Sequence, residues 1–352
     1  MNKVKQIWVN LPFLMGSCLI FSSLASAINF PADILTDEQL QAKIELARQL
    51  YEAKYQTLEE EVSRLFNINF TEYKKNYKEQ MNQLNFKTSI IEKLQDQAEK
   101  ERQLHQLEKE YRDSELFRYL EADRYLQNEM QKDHLFVGRY LSLLEEVVSA
   151  VIAKDTMLNY AFHSRESENR LGLILTKVVW ESGTFHDVSA VTKPLNLHSV
   201  FADKTKIPML IDITPLAFPS LAFLRSIIIH ELNHVYMYKD PVFSDVRRFA
   251  GAAVAPANGP FSHYFKSMNP FNPSYQYYLI HEYYSFKTQL IFDDLAGNTP
   301  FFRLDDANRE NIKQMLKWSY DQLNEENKQF IERHPDPPIL KLIERFYSSR
   351  RG

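Results

Sequence analysis

Cysteine is almost missing from this chain of 352 residues: there is one, Cys18, close to the N-terminus. With no second thiol there is no disulfide within the chain, so stability must come from packing and from any bound ligand. Nucleophilic cysteine chemistry finds no site here either. Glycine is scarce, 8 in all, and from Ala32 to Val137 there is neither glycine nor proline. The absence of both breakers over more than a hundred residues predicts long helices. Neither sign of charge dominates. A net charge of -4 and a pI near 6.2 offer no general attraction to nucleic acid or to anionic membranes, so no nucleic-acid partner is expected. Internal repeats, phosphate-cradling glycine loops and a spacing-defined Ser/His/Asp set are also lacking.

Apolar residues concentrate first at the N-terminus. Lys3 and Lys5 precede a largely apolar run from Trp8 to Leu24, and Ala25-Ser26-Ala27 follows as a small-x-small pattern. That order is the grammar of a cleaved signal peptide, with cleavage expected after Ala27 and a secreted or periplasmic destination. Asn10, Pro12, Gly16 and several serines interrupt the run, which suits an excised peptide better than a membrane anchor. Cys18 falls inside it, and Met15-Gly16-Ser17 is a poor lead-in for lipidation. No later segment is long and apolar enough to span a bilayer. Residues 28–165 then read as a helical region, coiled or hairpin-like, and residues 166–352 as a second domain.

Within the helical region, Leu40, Ile44, Ala47, Tyr51, Tyr55, Leu58, Val62 and Leu65 step by three and four, the stripe of a packed helix. Asn67-Ile68-Asn69-Phe70-Thr71 is expected to end it, with Thr71 capping the next helix. Lys93 to Glu110 has few apolar positions and reads as exposed, whereas Phe136 to Ile152 is apolar and expected to pack on the second domain. These helices suit a scaffold, and a protein partner docking on them is the alternative role. In the second domain, Leu171 to Trp180, His186 to Thr192 and Ile207 to Ile213 read as short strands. The last ends in the breaker-rich turn Thr214-Pro215-Leu216-Ala217-Phe218-Pro219. Asp240 to Pro273 is a Pro-rich connection, and after Gly297 helices are expected over Asp306 to Arg333 and up to Tyr347. The fold class is therefore α+β, mainly helical, with a small sheet and a C-terminal helical subdomain.

The most chemical stretch is His230-Glu231-Leu232-Asn233-His234, inside the apolar run Leu224 to Tyr238. On a helix of 3.6 residues per turn the two histidines lie one turn apart on one face, spaced to share one metal ion. Glu231 lies beside them, placed to take a proton from a water. The only interior charges of the run are Arg225 and Glu231, as expected of a buried helix. A catalytic zinc needs a third protein ligand and leaves its fourth position open. Glu282 is the leading candidate, on a second helix over Tyr277 to Gln289, where Tyr278, Glu282, Ser285 and Gln289 share a face. Small Ser285 lets that helix approach the histidine helix. His263 and His281 stand as rivals for the third position, with Asp293 and Asp294 behind them.

From about Ile207 to Gln289 the chain resembles the gluzincin class of zincin metallopeptidases, in which a His-Glu-x-x-His helix is completed by a Glu on a later helix. The resemblance implies a Zn2+ cofactor held by His230, His234 and Glu282, Glu231 as general base, and a protein or peptide substrate. It also implies a donor to the developing oxyanion, for which Tyr283, Tyr284, His281 and His263 are the nominees. One of the strands before the motif is expected to pair with the substrate backbone. Two features depart from thermolysin-like members. Forty-seven residues separate His234 from Glu282, and Phe286 stands one turn after Glu282 where those members carry an Asp. Two functions follow: an exported zinc-dependent metallopeptidase, or an exported helical interaction protein whose zincin-like core does not turn over.

Overall fold

The computed structural model describes residues 35–70, 94–163, 172–180, 188–194, 207–245, 275–296 and 302–349, with scattered positions between 72 and 91. Residues 1–34, where the signal peptide is expected, Thr71, His263 and most of the connection 240–273 lie outside the described residues. Contacts divide the chain into two compact units, Met1–Leu35 and Thr36–Gly352. The expected border at residues 165 and 166 thus lies inside the second unit. Among the described residues that unit contains ten helices and three strands, a mainly helical α+β fold.

Helix α1, Asp37–Phe66, starts where Thr36 and Gln39 form a reciprocal capping box and ends at Asn67, whose φ of 51° is left-handed. Asn is among the few non-glycine residues that tolerate this conformation. Leu40, Ile44, Ala47, Tyr55 and Val62 are buried along one face, and Leu65, at the fraying end of the stripe, is exposed. Helices α2 (Gln97–Arg112), α3 (Glu115–Lys132), α4 (His134–Lys154) and α5 (Thr156–His163) follow. Most of α2 faces solvent, as its polar composition predicts. Helix α1 packs on α3 and α4, and α4 carries Tyr140, Leu144, Val147, Val148, Val151 and Ile152 into the core.

Strands β1 (Ile174–Val178), β2 (Ala190–Pro194) and β3 (Met209–Ile213) form one sheet in the order β1-β3-β2. Central β3 pairs in parallel with β1 and antiparallel with β2, with Thr192 opposite Ile211. Side chains alternate across a strand, so Thr192 shares a face with fully buried Ile211 and Ile213, while Lys193 turns to the other face and pairs with Asp212. After a short 3-10 turn at Pro215–Ala217, helix α6 (Leu221–Lys239) packs on β2 and β3. Helix α7 (Tyr275–Leu295) packs on α6, and α8 (Asp306–Asp321) packs on α7. The helix expected over Asp306 to Arg333 is two helices, since Asn324 caps a new one, α9 (Glu325–Arg333). Helix α10 (Leu340–Ser349) closes the chain against α5. Among the described residues no helix is long and apolar enough to cross a membrane.

One buried ion pair ties the helical region to the core. Asp155 accepts from the Met157 and Leu158 backbone N–H groups at the start of α5, at 2.9 and 3.0 Å. The same carboxylate binds the Arg225 guanidinium of α6, which also donates to the Phe292 carbonyl of α7 at 3.3 Å. The interior charge at Arg225 is thereby compensated at a point where three helices meet.

Candidate metal centre

Helix α6 begins at Ser220, whose hydroxyl accepts the Phe223 N–H at 3.1 Å. Sheet, α7 and α4 surround the helix, so most of its residues are buried, the polar ones at 225, 226, 230, 231 and 233 included. Polar side chains in such a position must find partners. Those of Ser226, His230 and Asn233 find them on α7, that of Glu231 on β2, and that of Arg225 on both Asp155 and α7. Ser285, fully buried, accepts from Asn233 Nδ2 at 3.1 Å, and its small side chain lets the two helices meet at the height of Glu282.

There the ring nitrogens converge. His230 Nε2 and His234 Nε2 are 3.1 Å apart. Glu282 sets Oε2 at 3.2 Å from the first and Oε1 at 3.5 Å from the second. Zinc holds nitrogen and oxygen donors at about 2.0 to 2.1 Å, which puts tetrahedral donors about 3.3 Å from each other. The observed separations bracket that value, and the Glu282 carboxylate turns one oxygen toward each ring, so the three side chains lie close enough to hold a metal ion. The carboxylate of Glu231 also lies within reach, with donor atoms of His230, Glu231 and His234 all within 4.8 Å of one another, a group that could hold a metal ion. Glu231 is engaged otherwise, however: Thr192 Oγ1 on β2 lies 2.7 Å from its Oε2 and 3.0 Å from its carbonyl oxygen. Of the two carboxylates, Glu282 sits closer to both rings and Glu231 stands to one side.

Charge is strongly coupled here. Burial alone would lower the pKa of His230, but the Glu282 carboxylate overrides it and raises the value to about 8. Burial would raise the pKa of Glu282, and the two imidazoles instead hold it well below the usual carboxylate range. The ring of His230 is backed edge-on by Phe286, with centroids 5.0 Å apart. Its Nδ1 faces Gln289 Oε1 at 3.1 Å. The orienting partner is therefore Gln289, two turns beyond Glu282, while Phe286 supplies only packing.

Of the nominated oxyanion donors, His263 lies outside the described residues, Tyr283 and Tyr284 make their contacts elsewhere, and His281 stacks on one ring. Tyr284 is fully buried and donates its hydroxyl to the His334 carbonyl. Tyr283 packs against Tyr284 and Tyr320. They follow Glu282 by one and two residues, which turns them about 100° and 200° away around the helix. His281 stacks behind His234, centroids 5.8 Å apart and planes 12° from parallel. Burial, then His234, pushes its pKa down to about 3, so it stays neutral, and its Nε2 has no hydrogen-bond partner among the described residues. A ring stacked on His234 does not aim at the same ion. Asp293 accepts the Leu304 N–H and pairs with Arg309, and Asp294 pairs with Arg309 at 2.6 Å; neither reaches the histidines.

Three residues not singled out from sequence do belong here: Thr192, Asn233 and Tyr238. Tyr238 is half-buried and one turn past His234. Its pKa is pushed up to about 12, first by burial and then by the charges of Glu231 and Glu282. Its ring meets the edge of His281 at 5.4 Å. The spacing 230, 234, 238 was the available signal. Compared with known proteins, the chain matches no family model, no curated protein and no solved structure.

Proposed function

We propose that this chain is an exported zinc-dependent metallopeptidase of gluzincin type, with His230, His234 and Glu282 as metal ligands and Glu231 as general base. The observation that supports it most is the convergence of the two Nε2 atoms, 3.1 Å apart, on the Glu282 carboxylate, whose Oε2 and Oε1 lie 3.2 and 3.5 Å from them at the meeting of α6 and α7. Zinc held there supplies Lewis acidity toward a carbonyl and lowers the pKa of a water it binds. The protein does the rest. Glu231 takes the proton from the attacking water and returns it to the departing amine nitrogen. Thr192 holds the Glu231 carboxylate in place for that transfer. Tyr238 offers a phenolic O–H to the developing negative oxygen. Strand β2 pairs only with β3 among the described residues, so its other edge, next to Glu231, suits an extended peptide. The leader ending at Ala27 supports export.

The test compares the wild type with Glu231→Gln for zinc content and for cleavage of an unstructured protein such as casein. Both are expected to carry one zinc per chain, and the variant to cleave about 10² to 10⁴ times more slowly. A wild type that takes up no zinc, or a variant that cleaves equally well, overturns the reading. Zinc without cleavage would favour the exported interaction protein, docking through the helices before residue 165.

A further inference from the structure

We infer that Gln289 is the positioning residue that fixes the tautomer of His230 and so prepares its Nε2 to bind metal. The inference rests on the metal centre proposed above. A carboxamide looks alike from either end, but here the two ends are told apart. Gln289 Nε2 donates to the Ser226 carbonyl at 3.2 Å and to the Ser226 hydroxyl at 2.9 Å. A carbonyl can only accept, so the NH₂ end must point at Ser226 and Oε1 must point at His230. That oxygen also can only accept. The proton between Gln289 and His230, across 3.1 Å, therefore belongs to Nδ1 of the ring. In the neutral imidazole the remaining lone pair then sits on Nε2, the atom that faces His234 and Glu282.

The relay is enclosed. Gln289 is 3% exposed and Ser226 4%, so water does not compete for these groups. Ser226 precedes His230 by one turn on α6, and Gln289 follows Glu282 by two turns on α7, so one amide locks together the two helices that bring the ligands. Among the described residues the second histidine has a weaker hydrogen-bonding partner: His234 Nδ1 lies 3.5 Å from Ser285 Oγ, at the outer limit of a hydrogen bond. Control of ligand orientation is concentrated at position 289. An amide does this without adding charge, so the carboxylates of Glu282 and Glu231 remain the negative groups beside the rings.

The experiment is zinc affinity by competition with a chromogenic chelator, for wild type, Gln289→Met and Gln289→Glu. Methionine keeps the length of the side chain and removes both hydrogen-bonding ends; glutamate keeps an acceptor for Nδ1–H. Loss of a group that orients a metal-binding histidine costs about 10- to 100-fold in affinity. That loss is expected for Gln289→Met, with Gln289→Glu within a few-fold of wild type, and melting of the metal-free forms separates affinity from folding. A wild type that binds zinc and a Gln289→Met that binds it equally well overturn this inference alone, whereas a wild type that binds none overturns the metal reading with it. Long-range ¹⁵N–¹H NMR of the metal-free wild type decides the point even if a variant fails to fold. Neutral His230 protonated at Nδ1 is expected, and protonation at Nε2 overturns the inference.

Discussion

Removing metal and raising the pH from 6.5 to 9 is expected to lower the folding stability of this protein by about 2 kcal/mol through His230. The folded pKa is raised to about 8, against about 6.5 in an unfolded chain. Below pH 6.5 both states hold the proton and the stabilisation is fully present. Between 6.5 and 8 the folded state alone holds it, so stability falls as pH rises, and above 8 the contribution is gone. A difference of about 1.5 units at about 1.36 kcal/mol each gives the figure. His281 acts with the opposite sign. Its folded pKa is down at about 3, so between 3 and 6.5 the unfolded chain alone takes up a proton, and stability rises with pH by about 1.4 kcal/mol per unit. Glu282, held below the usual carboxylate range, adds stability above its unfolded pKa that is lost on acidification. The metal-free protein should be most stable near pH 6.5.

Urea unfolding of chelator-treated protein from pH 5 to 9 measures the curve. Glu282→Gln isolates the cause, because without that charge only Glu231 and Gln289 oppose burial at His230, so its pKa falls and the alkaline loss shrinks. Zinc should remove it, since a metal on Nε2 displaces the proton. An alkaline loss of the same size in Glu282→Gln would refute the assignment to the His230 and Glu282 pair, as would a metal-free wild type that gains stability between pH 6.5 and 9.

Asp155→Ala leaves the Arg225 guanidinium buried without its partner and should cost about 3 to 5 kcal/mol in urea unfolding; a cost below about 1 kcal/mol would mean that this buried pair is not holding α5 to α6. Thr192→Val keeps the shape of the side chain and removes the hydrogen bond to the Glu231 carboxylate, a bond to a charged group worth about 1.5 to 3 kcal/mol. We expect kcat to fall about 10- to 100-fold with KM and zinc content unchanged, and Thr192→Ser to restore it; an unchanged kcat would show that Glu231 needs no such support.

Elements with local punctuation were legible in the sequence. The apolar stripe from Leu40 and the break at Asn67 mark α1, and the β-branched runs around residues 174, 190 and 209 are strands within a few residues of their expected limits. The stretch from Asp306 to Arg333 was read as one helical segment although Asn324 caps the Asn327 N–H locally, and a tertiary contact completes the break. Buried Gln276 of α7 accepts the Asn324 N–H at 2.9 Å and donates to the Gln322 carbonyl at 3.1 Å, satisfying backbone groups that a break would otherwise leave open. The composition change near residue 165 was equally visible, yet it separates two halves of one unit, joined by a salt bridge between residues seventy positions apart.

The site divides along the same line, and the dividing rule is periodicity. Residues on one helix are related by 3.6 per turn, so His230 with His234, and Glu282 with Ser285 and Gln289, fall together from spacing alone, and Tyr238 would have followed from the same step. Tyr283 and Tyr284 were nominated for closeness along the chain, which on a helix means facing elsewhere. Thr192 obeys no such rule. It meets Glu231 because β2 pairs with β3 in the register that sets Thr192 opposite Ile211, and in a strand a slip of one residue exchanges the two faces. The slipped sheet would offer Val191 or Lys193 to the base, an apolar group or a competing cation. The hydroxyl that steadies Glu231, from a residue 39 positions earlier in the chain, therefore depends on the pairing of β2 with β3, and local pattern carries no information about that register.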